Sequence, residues 1–244
     1  MTPFDLGALR APPPADVVAG RVARLRRRIA DTGRDPDTVR IVAVTKGFGI
    51  AAVEAAMAAG ITDIGENRAE ELLAKAGAGA GAGAGGAGVV NGAPQWHYLG
   101  AVQRRRVPAL APVVGLWQTV ARPAEGVAIA AHAPGAPVLV QVNAAGTAGQ
   151  NGCSLNEVPG VVDALRTVAL EVRGLMVLAP RGPSDEVRRV MRTVAHAAAD
   201  LGLAELSMGM TDDLDEALAE GTTMVRVGRG LFGDRAPAVP LRQD

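Results

Sequence analysis

The stretch Ile41-Val42-Ala43-Val44-Thr45-Lys46, followed by Gly47-Phe48-Gly49, decides how the rest of the chain is interpreted. Five apolar or β-branched residues lead to one lysine and then stop. This pattern predicts a short buried strand over residues 40–46 with a lysine at its C-terminal end. Because side chains alternate along a strand, Val44 and Lys46 share one face. If that face lines the inside of a barrel, Lys46 points into the mouth of the barrel.

Lysine is rare in this chain. Of the 25 Lys and Arg residues, only Lys46 and Lys75 are lysines. An arginine cannot form a Schiff base, whereas a lysine amine can, because burial readily shifts its pKa. Two interpretations of Lys46 stay open at this point. It is either a reactive amine or a strand-end lysine that extends its ammonium group into solvent.

The composition bounds the class of protein. The chain has 244 residues, of which 48% are hydrophobic, and its formal net charge is zero. This length and apolar content suit one large domain with an ample core. The charge balance argues against a general binder of nucleic acids or anionic membranes. The one basic cluster, Arg21–Arg28, is best explained as the solvated face of an amphipathic helix.

The location in the cell is predicted from what the sequence lacks. A single cysteine, Cys153, excludes an internal disulfide and fits a reducing compartment. The N-terminus has no signal-peptide pattern, and residues 12–14 are three prolines. No long apolar segment is free of Gly, Pro, His or Asn, so none is typical of a membrane span. We therefore expect a soluble, cytoplasmic protein.

Strand and helix patterns alternate along most of the chain. Residues 1–14 are predicted to form a loose N-terminal arm, residues 15–237 a single domain that begins with an extra helix, and residues 238–244 a C-terminal tail. The nearly pure Gly/Ala run at 76–88 is predicted to be a flexible loop inserted in that domain. The predicted strands cover residues 40–46, 61–65, 95–100, 114–120, 137–143, 173–179, 205–208 and 223–227.

Eight strands, each followed by a helical pattern, indicate an α/β fold with a parallel sheet closed into a TIM-like (β/α)8 barrel. The extra helix precedes the first strand. The main alternative is an open, doubly wound sheet. That alternative is disfavoured because no G-x-G-x-x-G motif follows the first strand, as a dinucleotide fold would require.

Two glycine-rich loops are candidates for a phosphate site. In such barrels the functional site lies at the C-terminal ends of the strands, and the loops after strands seven and eight often bind phosphate. Here these loops contain Ser207-Met208-Gly209-Met210-Thr211 and Gly228-Arg229-Gly230. Backbone N–H groups at such turns bind anions. Either loop alone is better explained as an ordinary turn that needs glycine, but the two together at these places predict a phosphate cradle.

Arg226 lies on the predicted last strand, on the face opposite to two valines that would pack against helices. It therefore points inward, where a buried arginine needs an acceptor. One alternative is a structural ion pair with a carboxylate such as Glu66. A lysine that forms imines, a phosphate cradle and an inward arginine together suggest pyridoxal 5′-phosphate. Its aldehyde would meet Lys46 and its pyridine nitrogen Arg226, which leaves that nitrogen unprotonated and the ring a weak electron sink.

Other polar residues are weaker candidates. Asn67 and Asn143 follow strands two and five and either contact a ligand or cap loops. His97, on strand three, is interpreted as a core histidine in preference to a ligand contact. His132 and His196 fall on helices and are expected at the surface, and Cys153 is expected to be a small apolar residue. No His and carboxylate group has the spacing of metal ligands, so no metal is predicted.

A set of motifs, in this order, resembles the pyridoxal phosphate homeostasis proteins, which are related to the N-terminal barrel of alanine racemase. The resemblance spans about residue 15 to residue 235. The motifs are Ala43-Val44-Thr45-Lys46, Gly65-Glu66-Asn67, Trp96-His97-Tyr98-Leu99-Gly100, Arg173-Gly174-Leu175-Met176, Leu206-Ser207-Met208-Gly209-Met210-Thr211-Asp212-Asp213 and Met224-Val225-Arg226-Val227-Gly228.

The resemblance implies a cytoplasmic barrel that holds pyridoxal 5′-phosphate as an internal aldimine on Lys46 and acts in vitamin B6 homeostasis without efficient catalysis. The cofactor-binding residues that we expect are Lys46, Asn67, Ser207, Met208, Gly209, Met210, Arg226, Gly228 and Arg229. The chain departs from the family at Arg229, where threonine is usual, at residues 103–106 (Gln-Arg-Arg-Arg) and at residues 150–152 (Gln-Asn-Gly), where a second lysine is usual.

Two alternative functions remain. An amino-acid racemase needs a base on each face of the substrate, and the single tyrosine, Tyr98, and a chain that ends soon after the eighth strand argue against it. A Schiff-base aldolase would need an acid or base near Lys46, for which Glu66 is the candidate. We expect a protein that is not an enzyme, is monomeric, binds neither nucleic acid nor membrane, and delivers its cofactor to apoenzymes.

Overall fold

Eight parallel strands close into a barrel in chain order, with β1 hydrogen-bonded to both β2 and β8. The computed structural model describes residues 4–78 and 92–234. The predicted (β/α)8 barrel is confirmed, and the open sheet is wrong because its first and last strands would not pair. The strands are β1 Arg40–Val44, β2 Asp63–Glu66, β3 Gln95–Tyr98, β4 Val114–Val120, β5 Pro137–Val142, β6 Glu171–Val177, β7 Glu205–Ser207 and β8 Met224–Val227.

The barrel wall separates two apolar regions. A small inner cluster fills the lumen and contains Val42, Leu116, Leu139, Met176 and Met224. A much larger cluster lies between the outer face of the wall and the helices. Successive side chains of one strand therefore enter different environments, which explains why nearly every strand position is buried.

Helices cover the outside of the barrel. Their bounds are α1 Ala15–Asp31, α2 Ile50–Ala58, α3 Ala69–Gly77, α4 Val107–Leu110, α5 Pro123–His132, α6 Val158–Thr167, α7 Ser184–Asp200, α8 Leu214–Ala219 and α9 Arg229–Phe232. The predicted extra helix before the first strand is α1, and it buries Val18, Val22, Leu25 and Ile29 at helical spacing. None of the helices in 4–78 and 92–234 is long and apolar enough to cross a membrane.

Several element ends differ from the prediction. Strand β1 ends at Val44, because Gly47 has a φ of 80° and turns the chain immediately after Lys46. Helices α4 and α6 are each preceded by a 3-10 turn, at Arg104–Arg106 and Leu155–Glu157. Ser184 is the first residue of α7, after Pro183 at the N-cap, and its hydroxyl donates to Glu216.

The N-terminal arm and the Gly/Ala loop also differ. Residues 4–14 were expected to be loose, yet Arg10 forms backbone hydrogen bonds to Gly47 and Gly49, and so closes over the turn that follows β1. The loop was expected at 76–88, but α3 continues to Gly77. The rest of that loop and the predicted tail at 238–244 lie outside the described residues.

Candidate functional site

Lys46 lies at the C-terminal mouth of the barrel, in the turn that follows β1. Its side chain is half-buried. Val42, four residues earlier, belongs to the inner cluster, and strand alternation carries Val44 and Lys46 to the same side. The intervening Thr45 faces outward, because its hydroxyl donates to Glu66 Oε1 at 2.6 Å between the wall and α3. Thr45 therefore faces the helices, and alternation continued beyond Val44 would direct Lys46 to the lumen side.

A fully buried charged cluster lies behind Lys46. We call Glu66, Glu71 and Lys75 the outer cluster; none of the three exposes its side chain by more than 1%. Lys75 Nζ lies 2.5 Å from Glu66 Oε1 and 2.9 Å from Glu71 Oε1. It also donates to the carbonyl oxygen of Thr45 at 2.9 Å. The ammonium of Lys75 thus joins two carboxylates to the peptide group that precedes Lys46.

The outer cluster also holds the peptide group that follows Lys46. The backbone N–H of Gly47 donates to Glu71 Oε1 at 2.6 Å. Each glutamate uses one oxygen for these bonds, and within the described residues the Oε2 atoms of Glu66 and Glu71 are buried without a hydrogen-bond partner. Two carboxylates and one ammonium carry a net negative charge that burial penalises. Burial accordingly raises the pKa of Glu66 to about 7, although the charge of Lys75 opposes this shift.

The position of Glu66 corrects two expectations. Glu66 was considered as an ion-pair partner of Arg226 and as an acid or base near Lys46. Its neighbour Gly65 faces the lumen, where an added Cβ would lie 3.0 Å from Val42, so Glu66 faces the helices and its ion-pair partner is Lys75. The role of Lys75 was missed. Its rarity among the basic residues and its i,i+4 spacing from Glu71 were the available signals.

A second polar group crosses the lumen, and we call it the inner chain. It runs from Arg226 through Ser207, Gln118 and His97 to Asp63. Arg226 donates to the hydroxyl of Ser207 at 2.6 Å, and this hydroxyl donates to Gln118 Oε1 at 2.7 Å. Gln118 Nε2 lies 2.6 Å from His97 Nδ1, and His97 Nε2 lies 2.8 Å from Asp63 Oδ1. Every link has one donor and one acceptor if His97 is neutral and protonated on Nε2.

Arg226 points inward, as the sequence predicted. Besides Ser207 Oγ, its guanidinium donates to the carbonyl oxygens of Ser207 and Val177, at 2.7 and 2.9 Å. An arginine has five N–H donors, and these hydrogen bonds use three of them. Burial lowers the pKa of Arg226 to about 10, so the group stays protonated at neutral pH. It is therefore a buried cation held by the C-terminal ends of β6 and β7.

The two loops that were predicted to bind phosphate lie side by side after β7 and β8. The N–H of Gly230 donates to Thr211 Oγ1 at 3.1 Å and so joins them. Gly209 has a φ of 89°, and an added Cβ would lie 2.5 Å from Ala217, so α8 can pack only against a glycine there. Gly228 passes close to the end of β1, where an added Cβ would lie 3.2 Å from the carbonyl oxygen of Val44.

Other predicted cradle residues are occupied by protein contacts. The backbone N–H of Met210 donates to Asp213 Oδ1 at 2.6 Å, and the exposed Arg229 pairs with Asp212. Met208 is fully buried, and Ser207 belongs to the inner chain. Thr211 was not among the expected binding residues, although it is the hydroxyl that the structure places between the two loops. Its position after Gly209-Met210 was the available signal.

Asn67 and Asn143 have different surroundings. Asn67 lines a cavity of about 150 Å³ that follows β2 and β3, together with Tyr98 and Arg106. Asn143 caps its own loop, since its side chain accepts from the N–H of Thr147 and donates to the carbonyl oxygen of Thr147. Of the two interpretations that the sequence left open, loop capping therefore describes Asn143.

The remaining candidates are structural or peripheral. His97 is fully buried, as expected of a core histidine, and is held by the inner chain. His132 and His196 are exposed on α5 and α7. Cys153 is buried, and burial raises the pKa of its thiol to about 11. Within residues 4–78 and 92–234, no group of three or more His, Cys, Asp or Glu side chains could hold a metal ion.

Comparison with known proteins gives consistent matches over most of the chain. Residues 19–236 match the family model described as "Alanine racemase, N-terminal domain". The Pyridoxal phosphate homeostasis protein of Pseudomonas aeruginosa is 34% identical over 238 residues, which cover 93% of this chain and 97% of that protein. Its counterpart in Deinococcus radiodurans is 38% identical over 217 residues, covering 86% and 97%. The structure of PipY from Synechococcus elongatus with PLP bound has a TM-score of 0.74 and 28% identity, covering 88% of this chain and all of that one.

Proposed function

The chain belongs to the pyridoxal phosphate homeostasis protein family, and from this premise we propose that it binds pyridoxal 5′-phosphate and acts as a carrier or regulator of that cofactor. We place this role in the cytoplasm and propose that PLP-dependent apoenzymes are the recipients of the cofactor. The observation that carries the proposal is the meeting of three features at one end of the barrel. These are the lysine after β1, the inward Arg226 with unused donors, and the joined loops after β7 and β8.

The residues present suit each part of the cofactor. Lys46 supplies an amine that can condense with the aldehyde, so that the nitrogen bonds to the aldehyde carbon and one water leaves. Arg226 has two N–H donors available for a ring nitrogen. We propose that the backbone around Gly209, Gly228 and Arg229 holds the phosphate, since the N–H of Met210 already donates to Asp213. When bound, pyridoxal phosphate supplies an electron sink for chemistry at the α-carbon of an amine.

Arg226 favours a carrier over an enzyme. Its pKa of about 10 keeps it protonated at neutral pH, so an Arg226 beside the ring nitrogen would donate a hydrogen bond and give that nitrogen no proton. A neutral ring withdraws electrons less strongly than a pyridinium ring does. Such a site would bind the cofactor but support carbanion chemistry poorly.

The alternative functions lose support from the positions of their catalytic candidates. Tyr98 is buried outside the lumen, and its ring centroid lies 5.6 Å from that of Trp117. It is therefore not placed to serve as the second base of a racemase. Glu66, the acid or base of an aldolase, lies behind the wall with Lys75. Neither side chain faces the lumen that Lys46 faces.

The visible absorption spectrum tests the proposal directly. The purified protein incubated with pyridoxal phosphate is expected to show a band that Lys46→Ala lacks, and borohydride followed by peptide mass spectrometry is expected to find the label on Lys46. The control is Arg24→Ala, because Arg24 is exposed on α1. Lys75→Arg is not a suitable control because Lys75 is buried. A protein that takes up no pyridoxal phosphate, or a label on another residue, would contradict the proposal.

A second assay separates carrier from racemase. The loaded protein is incubated with L-alanine and, in parallel, with a PLP-dependent apoenzyme. We expect activation of the apoenzyme without measurable formation of D-alanine. Racemisation at rates typical of enzymes would favour the alternative.

A further inference from the structure

We propose that Glu66, Glu71 and Lys75 are positioning residues for Lys46, which fix the peptide groups on both sides of it so that its amine reaches the cofactor aldehyde at the mouth. This inference rests on the proposed function. It assigns a task to the only other lysine of the chain and to two glutamates that would not contact the cofactor.

The outer cluster holds the backbone on both sides of Lys46. Lys75 donates to the carbonyl oxygen of Thr45, and Glu71 accepts from the N–H of Gly47, at 2.9 and 2.6 Å. These two groups belong to the peptide bonds that flank Lys46. Arg10 adds a third hold from the N-terminal segment, through hydrogen bonds to Gly47 and Gly49. The turn that carries Lys46 is thus held by hydrogen bonds to the peptide groups on both sides of this residue.

Burying the charges of the outer cluster costs free energy. A buried charge without a partner is strongly unfavourable, and even a paired ion cluster often stabilises a fold no more than apolar residues of the same size would. The wall between β1, β2 and α3 could have been packed with apolar side chains like those around it. Hydrogen-bonding groups at this place do what apolar groups cannot, because only they can fix peptide N–H and C=O groups in one orientation.

The position of the Lys46 backbone affects how readily the Lys46 nitrogen can form a bond. Condensation requires the Lys46 nitrogen to approach the aldehyde carbon of a cofactor whose phosphate and ring are held elsewhere, by the loops after β7 and β8 and by Arg226. A small displacement of the lysine therefore slows bond formation without weakening the other contacts. Covalent attachment and total binding are expected to separate when the outer cluster is changed.

Two variants remove the two holds. Glu71→Leu deletes the acceptor for Gly47. The double variant Lys75→Met/Glu71→Gln removes the donor to Thr45 and keeps the cluster free of net charge when Glu66 is protonated, so it is expected to fold. In each, the rate of borohydride-trappable attachment should fall about tenfold or more, while total bound pyridoxal phosphate, measured after rapid gel filtration, should change less than about threefold.

Glu125→Leu is the matched control. Glu125 is also a buried glutamate that accepts backbone N–H groups, from Ala121 and Arg122, but it lies three strands away from β1. Its loss should lower stability and leave the rate of attachment to Lys46 unchanged. Equal attachment rates in the wild type and in whichever test variant folds would overturn the inference. Absence of label on Lys46 in the wild type would instead overturn the proposed function, so the two failures are distinguishable.

Discussion

The outer cluster and the inner chain are both buried and polar, but they solve different problems. The outer cluster uses ions: one ammonium, two carboxylates and two peptide groups are linked by contacts of 2.5 to 2.9 Å. The inner chain uses mostly neutral groups in a row, and each passes one hydrogen bond to the next. The first holds a segment of backbone from several directions. The second holds one side chain, Arg226, at the end of a line.

Buried polar groups are stable in the interior only when the numbers of hydrogen-bond donors and acceptors match. In the inner chain each group is hydrogen-bonded to the next, so every link has a partner. The outer cluster has more negative than positive charge, and two carboxylate oxygens have no partner among the described residues. It is therefore the part that should respond to pH and to loss of charge, whereas the inner chain should respond to loss of shape and of single hydrogen bonds.

The largest expected effect is that of Lys75→Met. This change leaves Glu66 and Glu71 buried without a cation, so the free energy of unfolding should fall by about 3–5 kcal/mol, measured by urea denaturation. The added substitution Glu71→Gln should recover at least half of that loss because it removes one of the two uncompensated charges. A loss below about 1 kcal/mol would mean that the ions are solvated and that the comparison of the two regions is wrong.

The next effect is the pH dependence of stability due to Glu66. Its pKa is about 7 when folded and 4.5 as the ordinary value, so between these values the folded state holds a proton that the unfolded state has lost. Stability therefore falls as pH rises through this window, by about 3 kcal/mol. The difference in the free energy of unfolding between wild type and Glu66→Gln, measured from pH 4 to pH 8, isolates this contribution because glutamine does not titrate. A difference that rises with pH would indicate an ordinary ion pair with a lowered pKa.

Gln118→Leu should break the inner chain at its centre. His97 Nδ1 and the hydroxyl of Ser207 would each lose a partner, so stability should fall by about 1–3 kcal/mol, and the affinity for pyridoxal phosphate should fall as Arg226 becomes mobile. Gln141→Leu provides the control, since Gln141 is equally buried but bonds to Asn151 and not to the inner chain. Equal losses of affinity in the two variants would show that the inner chain does not position Arg226.

Arg229→Ala should have the smallest effect on the free energy of unfolding. Arg229 and Asp212 form an ion pair with both side chains about half or more exposed, so its loss should change stability by less than about 0.5 kcal/mol, and less in high salt. Thermal unfolding at low and high salt measures this. A larger effect would mean that the Arg229 side chain is part of the fold.

The sequence predicted the strands well because the apolar runs are short and each ends at a Gly or Pro signal. The predicted end of the first strand is two residues beyond the observed end of β1, and the predicted range of the fourth strand is the observed range of β4. It placed Lys46, Arg226 and the two loops at one end of a barrel because strand alternation and strand order suffice for that. It did not find Gln118 or Thr211, whose partners are 89 and 19 residues away in the chain. It also missed Lys75, whose bond to the Thr45 carbonyl spans 30 residues although its glutamate partners are near in sequence.

The barrel, the inward direction of Arg226 and the position of the lysine at a strand end follow from the sequence alone, because they depend on local periodicity and on the order of elements. The pairing of the polar groups follows from tertiary structure. Glu66 and Arg226 lie on opposite faces of the wall, on the two strands that flank β1, and neither the spacing nor the charge of a residue states which face its partner occupies. Closure of the barrel brings β8 beside β1, and the pairing of β1 with β2 brings α3 against the turn after β1.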